Sequence, residues 1–131
     1  SSVGFATSAG IIDGIEYETA SGNAIVLINF EETNPVTAGF WQQDYAFVNG
    51  PGWFTELDPD VDIVASYAPG DFLESGYWPG WENSGAEGMP VIVTQATGDI
   101  DVTLIGIDST FRGHPENSFR LIGNAIYSGL E

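Results

Sequence analysis

The bases of this 131-residue chain are confined to Arg112 and Arg120, and residues 1–110 carry 17 Asp and Glu with no Lys or Arg among them. A stretch of that kind repels itself. The repulsion costs stability, favours solubility, and is relieved by salt or bound cations. With a formal net charge of -17 the chain is also a poor partner for nucleic acid or anionic lipid, since both require basic patches that neutralise phosphates. A salty or calcium-containing exterior suits this composition better than a cytoplasm, so a secreted or extracellular location is expected.

The apolar fraction of 43% and the even scatter of Trp, Tyr and Phe are enough to offset the entropy of ordering, which places the chain among packed globules. A chain this long fits one domain, 1–131, around one core. There is no Cys, so disulfides cannot report the compartment. The longest apolar run, Ala24 to Ile28, is too short for a membrane span, and no membrane insertion is expected. The N-terminus shows no basic region followed by an apolar stretch, so a leader for export would have been removed or would belong to a longer parent.

Periodicity predicts mostly strands. Ile15 to Thr19 alternates apolar with acidic residues, and Ala24 to Phe30 reads as a strand buried on both faces, the two forming a hairpin around Ser21-Gly22-Asn23. Asn34 to Gly39 reads as a short helical turn, capped by Asn34, opened by Pro35 and ended by Gly39. Ala46 to Val48 is a short strand, and Val61, Ile63, Ala65 and Tyr67 form the apolar side of another. Pro69 to Met89, rich in Gly, Trp and acids, reads as one long ordered loop pinned by Trp78 and Trp81. Pro90 to Gln95 and Ile100 to Ile107 pair across Thr97-Gly98-Asp99, with Ile100, Val102 and Leu104 toward the core. A helix from about Pro115 to Ser128 closes the chain, its core face formed by Phe119, Ile122 and Ile126, with Gly123 permitting close approach to a sheet. The expected fold class is α+β: a strand-dominated mixed or antiparallel sheet with a C-terminal helix packed on it, a β-sandwich being the alternative.

The residues that carry chemistry exclude the commonest hydrolytic machines. His114 is the only imidazole, so no two-His zinc motif exists, and neither a Gly-x-Ser-x-Gly elbow nor a Cys nucleophile is present. A carboxylate pair for glycoside cleavage stays open among 19 acids, although nothing singles one out. Asp58, Asp60 and Asp62 have the spacing that opens a calcium loop, but Ile63 and Pro69 stand where such a loop needs Gly and Glu. They read better as alternate acids on the exposed side of a strand start. Calcium, in another loop geometry near Asp71 or Glu74, is the one cofactor the composition leaves open. Trp78 and Trp81 could present ring faces to sugars or anchor their loop on the sheet. Arg112 and His114, with Arg120, form either an anion site near the start of the helix or loop-fixing pairs with acids such as Asp108 and Glu116.

Val102-Thr-Leu-Ile-Gly-Ile-Asp108, Phe111-Arg-Gly-His-Pro115 and Ser118-Phe-Arg-Leu-Ile-Gly-Asn-Ala-Ile-Tyr127 together resemble the end of a C-terminal accessory domain in large secreted bacterial zinc carboxypeptidase-like proteins. Asn34 to Gly39 and Gly52-Trp53-Phe54 look like matching upstream elements. The order of turn, strands and terminal Asn-Ala helix is similar to the later half of glutamine-amidotransferase-like domains. The turn at Thr97 to Asp101 departs from the basic Gly-Lys-Gly-Arg type of such relatives. The resemblance implies a noncatalytic domain, excised from a longer parent, that aids substrate docking, stability or surface retention beside a catalytic domain holding the zinc. The alternative is a calcium- or carbohydrate-binding module of a secreted protein, and a carbohydrate or peptide substrate is a further expected partner.

Overall fold

A computed structural model describes residues 14–110 and 118–130. The described chain forms eight strands: β1 (Ile15–Thr19), β2 (Asn23–Phe30), β3 (Gln43–Asn49), β4 (Gly52–Leu57), β5 (Val61–Tyr67), β6 (Leu73–Tyr77), β7 (Pro90–Thr97) and β8 (Ile100–Ile105). Short 3-10 turns span Pro35–Thr37 and Trp81–Asn83, and one helix, α1, spans Phe119–Ser128. The main sheet runs β3-β2-β5-β7-β8, with β6 also paired to β2, and β1 and β4 form a separate two-stranded ribbon. The pairs are antiparallel throughout. The architecture is therefore α+β, a curled strand-dominated antiparallel sheet with a C-terminal helix packed on it.

Strand β2 organises the sheet. Ala24, Val26, Ile28 and Phe30 are buried while Ile25, Leu27 and Asn29 are half-buried, so one face is core and the other only partly covered, unlike the doubly buried strand expected from its unbroken apolar run. One edge pairs with β3 from Asn23↔Asn49 to Asn29↔Gln43. The other edge is shared, Asn23 to Val26 going to β6 and Ile28 to Phe30 to β5. Both edges are thus occupied, which leaves no place for the β1–β2 hairpin that the sequence suggests. β1 pairs instead with β4, where Tyr17 tilts against Phe54 at 5.0 Å between ring centroids.

The ribbon covers one face of the β7–β8 hairpin. Ile15 and Phe54 cluster with Val61, Val93 and Leu104, and Val93 and Leu104 are paired residues that share a face. The next pair, Thr94 and Thr103, turns to the opposite face by strand alternation, and there it lines a cleft with Ala125 and Ser128 of α1. Ribbon and helix therefore flank this hairpin from opposite sides. Leu104 is buried as expected, Val102 is partly buried, and Ile100 is exposed because it lies at the hairpin tip, beyond the ribbon.

Two strands depart from simple alternation. In β5 the register slips between Ile63 and Ala65, so Val64 and Ala65 are both buried and Ile63 is exposed, the signature of a bulge. In the segment read as a loop, β6 forms although Glu74 to Tyr77 are exposed. Its strand character comes from backbone pairing to β2, with no apolar alternation to announce it.

The helix also turns otherwise than its periodicity suggests. Leu121 is fully buried in the main core and Ala125 packs against it, while Phe119 and Ile126 are exposed. A Cβ at Gly123 would meet nothing within 4 Å, so that glycine does not serve a close approach to the sheet. Both stripes of α1 are apolar, and two polar residues hold the helix in the orientation that buries one of them. Arg120 Nη1 donates to the Gly39 carbonyl at 2.8 Å, and Asn124 Nδ2 donates to the carbonyls of Val36 and Ala38 at 2.9 and 3.0 Å. These bonds clamp the helix to the 3-10 turn and bring Leu121 and Ala125, each one residue further on, into the core. The turn itself is built as its sequence predicts, with Asn34 Oδ1 accepting from the Val36 amide and Pro35 in the first position.

Candidate functional site

The residues singled out in the sequence are dispersed over the fold. Trp78 is 3% exposed, stacks beside Trp53 at 6.0 Å, and meets Tyr67 and Phe72 edge-on at 5.8 and 5.5 Å. Trp81 sits edge-on to Phe72 at 5.1 Å and is half-buried. Together these rings tie the β6 region onto the core, which leaves Trp78 inside the protein rather than on a surface that a sugar would touch. Arg112 and His114 lie outside the described residues. Arg120, the third basic candidate, spends its described contact on a backbone carbonyl of the turn and not on a carboxylate.

The three acids of the calcium spacing diverge. Asp58 packs its carboxylate over Gly14, where an added Cβ would lie 1.9 Å from the Asp58 Cγ. Asp60 accepts from Gln95 Nε2 at 3.2 Å. Asp62 faces the cleft beside α1. Among the described residues no group of three His, Cys, Asp or Glu side chains converges in a way that could hold a metal ion.

That cleft has a volume of about 220 Å³ and lies between the 3-10 turn, α1 and strands β5, β7 and β8. Asp62, Thr94, Thr103 and Asp101 form its floor, and Asn34 and Ser128 stand on its walls. Its carboxylates rise from β5 and β8 with β7 between them, a spacing of about 9–10 Å across the strands before any offset along them. It is an open recess of mixed polar and apolar lining.

The perturbed titratable groups gather elsewhere, at the seam between ribbon and sheet. Tyr67 is fully buried and donates its hydroxyl to the Gly52 carbonyl at 3.1 Å. The Tyr17 hydroxyl fits over Gly52, where an added Cβ would lie 2.0 Å from it, and close to Gly106. Burial pushes the Tyr17 phenol up, with the Asp108 charge adding to the effect. Burial raises Tyr67 much further, followed by the influence of Tyr17, while its bond to Gly52 pulls weakly the other way. Asp108 is itself raised by burial, partly offset by the Asn49 amide that donates to its carboxylate. The Tyr67 phenol thus stays a protonated donor, and both phenols belong to a buried polar seam that joins two sheets. The sequence offered no signal for this grouping, because Tyr17, Gly52, Tyr67 and Asp108 come from four separate segments.

Two surfaces are exposed in a way sequence reasoning missed. The outer stripe of α1 presents Phe119, Ile126 at 60% exposure and Tyr127 at 73%, with Leu130 just beyond. Along the β3 edge, Trp41 is 78% exposed and Tyr45 51%. No protein-family model, curated protein or solved structure matches the chain.

Proposed function

We propose that the chain is a noncatalytic accessory domain of an exported zinc carboxypeptidase-like protein, and that it docks on the parent's catalytic domain through the outer stripe of α1. The observation that carries the docking is the exposure of Phe119, Ile126, Tyr127 and Leu130 on one side of a helix whose other side is already packed. Contiguous apolar exposure of this kind marks interaction surfaces. Charge supports an apolar, uncharged partner: residues 118–130 contain no acid, in a chain whose net charge is -17. The helix itself contributes no carboxylate to such a contact. Gly123 lies in open space between Phe119 and Tyr127, so a partner could approach the helix backbone closely. The parentage rests on the resemblance of residues 102–127 to the accessory domains of those peptidases. On this reading the zinc and its ligands belong to the neighbouring domain.

Hydrogen exchange on the full-length gene product and on the isolated domain tests the proposal. The amides of Leu121 to Ser128 should exchange more slowly in the full-length protein, and Ile126→Asp should abolish that added protection. Equal exchange in both proteins would overturn the docking, as would self-association of the isolated domain through the same stripe in sedimentation equilibrium. A gene product with no zinc peptidase domain would overturn the parentage.

A further inference from the structure

The outer face of the β2–β3 edge has a composition that neither the core nor the docking helix explains. Core packing fixes its orientation. Val26 pairs with Ala46 and Ala24 with Val48, all four buried, so the intervening pairs Leu27↔Tyr45 and Asn29↔Gln43 face outward. The ladder continues one step past β3, where the Phe30 amide donates to the Gln42 carbonyl at 2.8 Å. Phe40 turns inward and stacks on Phe30 at 4.9 Å, and the residue after it, Trp41, is 78% exposed. Gln43 and Tyr45 therefore face solvent along the edge strand, with Asn29 paired to Gln43, and Trp41 stands exposed just before β3 begins.

Beside them lies an open recess of about 530 Å³ lined by Asn29, Glu31, Glu32, Thr33, Gln42 and Gln43. Its size falls within the range of small-molecule sites. Gln43 Nε2 donates to Asn29 Oδ1 at 2.8 Å, which leaves Asn29 Nδ2 as a donor next to Gln43 Oε1 as an acceptor. That arrangement matches two adjacent hydroxyl groups, each of which both donates and accepts.

We propose that Trp41, Tyr45 and the Asn29–Gln43 amide pair form a binding site for a neutral carbohydrate. A pyranose ring offers an apolar C–H face for the indole and a rim of hydroxyls for the amides and carboxylates, and here an exposed indole stands two residues from the amide pair. Glu31 and Glu32, in a chain of net charge -17, repel acidic glycans and phosphorylated ligands. A cationic peptide is the competing ligand for the indole and the carboxylates, and the test below includes one. The site is separate from α1, and it stands or falls independently of the docking proposed above.

Calorimetric titration with cellohexaose, laminarihexaose, xylohexaose and maltohexaose tests it, with tryptophan fluorescence as a second readout because Trp41 is far more exposed than Trp53 and Trp78. At least one of these sugars should bind and alter the emission. Trp41→Ala should weaken that binding by about tenfold or more, Tyr45→Ala by a smaller factor, both with unchanged melting temperature. The affinity should be insensitive to NaCl, as expected for an uncharged ligand. The proposal fails if none of the sugars binds, if Trp41→Ala binds as the parent protein does, or if hexa-arginine binds at Trp41 while the sugars do not.

Discussion

The side-chain amide of Asn124 reaches the carbonyl of Val36 at 2.9 Å, joining residues 88 positions apart and fixing the last helix to a turn formed near the start of the sheet. The same nitrogen also serves Ala38 at 3.0 Å, so one side chain satisfies two carbonyls of a turn with few other partners. Asn124→Ala should cost about 1–3 kcal/mol, the usual penalty for leaving partly buried polar groups unpaired. Urea denaturation checks this. A loss below the experimental error would mean that water replaces the clamp.

The two apolar stripes of α1 should respond in opposite ways to substitution. Leu121→Ala should destabilise by about 2–5 kcal/mol because it empties a fully buried site. Ile126→Ser, on the exposed stripe, should stay within about 0.5 kcal/mol in the isolated domain. Parallel denaturant melts of the two variants separate a core face from a docking face, and equal losses would contradict the assignment.

The contrast between those stripes shows what the sequence could and could not reveal. Short-range signals were legible: the Asn34-Pro35 turn, the β7–β8 hairpin and the extent of β1 follow from caps, turn residues and alternation within a few positions. Choices between equivalent faces or partners were not. Phe119, Ile122 and Ile126 satisfy helical periodicity as well as Leu121 and Ala125 do, and it is packing and hydrogen bonds to a distant turn that bury Leu121, leave Ile122 half-buried and expose Phe119 and Ile126. The β1–β2 hairpin failed for a similar reason, since occupancy of both edges of β2 is a property of the whole sheet. The surface around Trp41 was invisible as well, because an exposed Trp and a buried one look alike in sequence.

Gly76 is the position in β6 where substitution should do most harm. Its φ is 103°, and an added Cβ would lie 2.4 Å from the Asn23 carbonyl oxygen and 2.7 Å from the Ala24 Cα, both backbone atoms that cannot step aside. Gly76→Ala should therefore cost more than about 1–3 kcal/mol, the range for backbone strain alone. Thermal melts give the cost, and exchange of the Asn23 to Val26 amides shows whether β6 has peeled from β2.

Added NaCl should raise the melting temperature, because 17 acids precede the first base and their mutual repulsion is screened at higher ionic strength. Calcium at matched ionic strength should add nothing if the acids stay as dispersed as Asp58, Asp60 and Asp62 are. A further calcium-specific rise would reveal a site formed by other carboxylates.

The pH dependence of stability should carry a contribution from Asp108 of opposite sign to that of a salt-bridged acid. Burial raises the Asp108 carboxyl above its ordinary value, the opposing bond from Asn49 being the smaller effect. Between the ordinary and the raised value the folded protein holds a proton that the unfolded chain has released. Stability from this group therefore grows as pH falls through the raised value, and its cost is fully present above it. Asp108→Asn keeps an oxygen for the Asn49 amide but cannot titrate. Relative to this variant, the parent protein should gain stability as pH is lowered from about 7 toward about 4. Removing any one charge from so acidic a chain also relieves general repulsion, so Asp71→Asn, at an exposed position, provides the control. The narrowing of the gap should be larger for Asp108→Asn than for Asp71→Asn, measured as differences in melting temperature across the same pH series. Equal narrowing would show that the Asp108 environment is as wet as the surface, and a gap that widens toward low pH would mean that the Asn49 bond, not burial, governs this carboxylate.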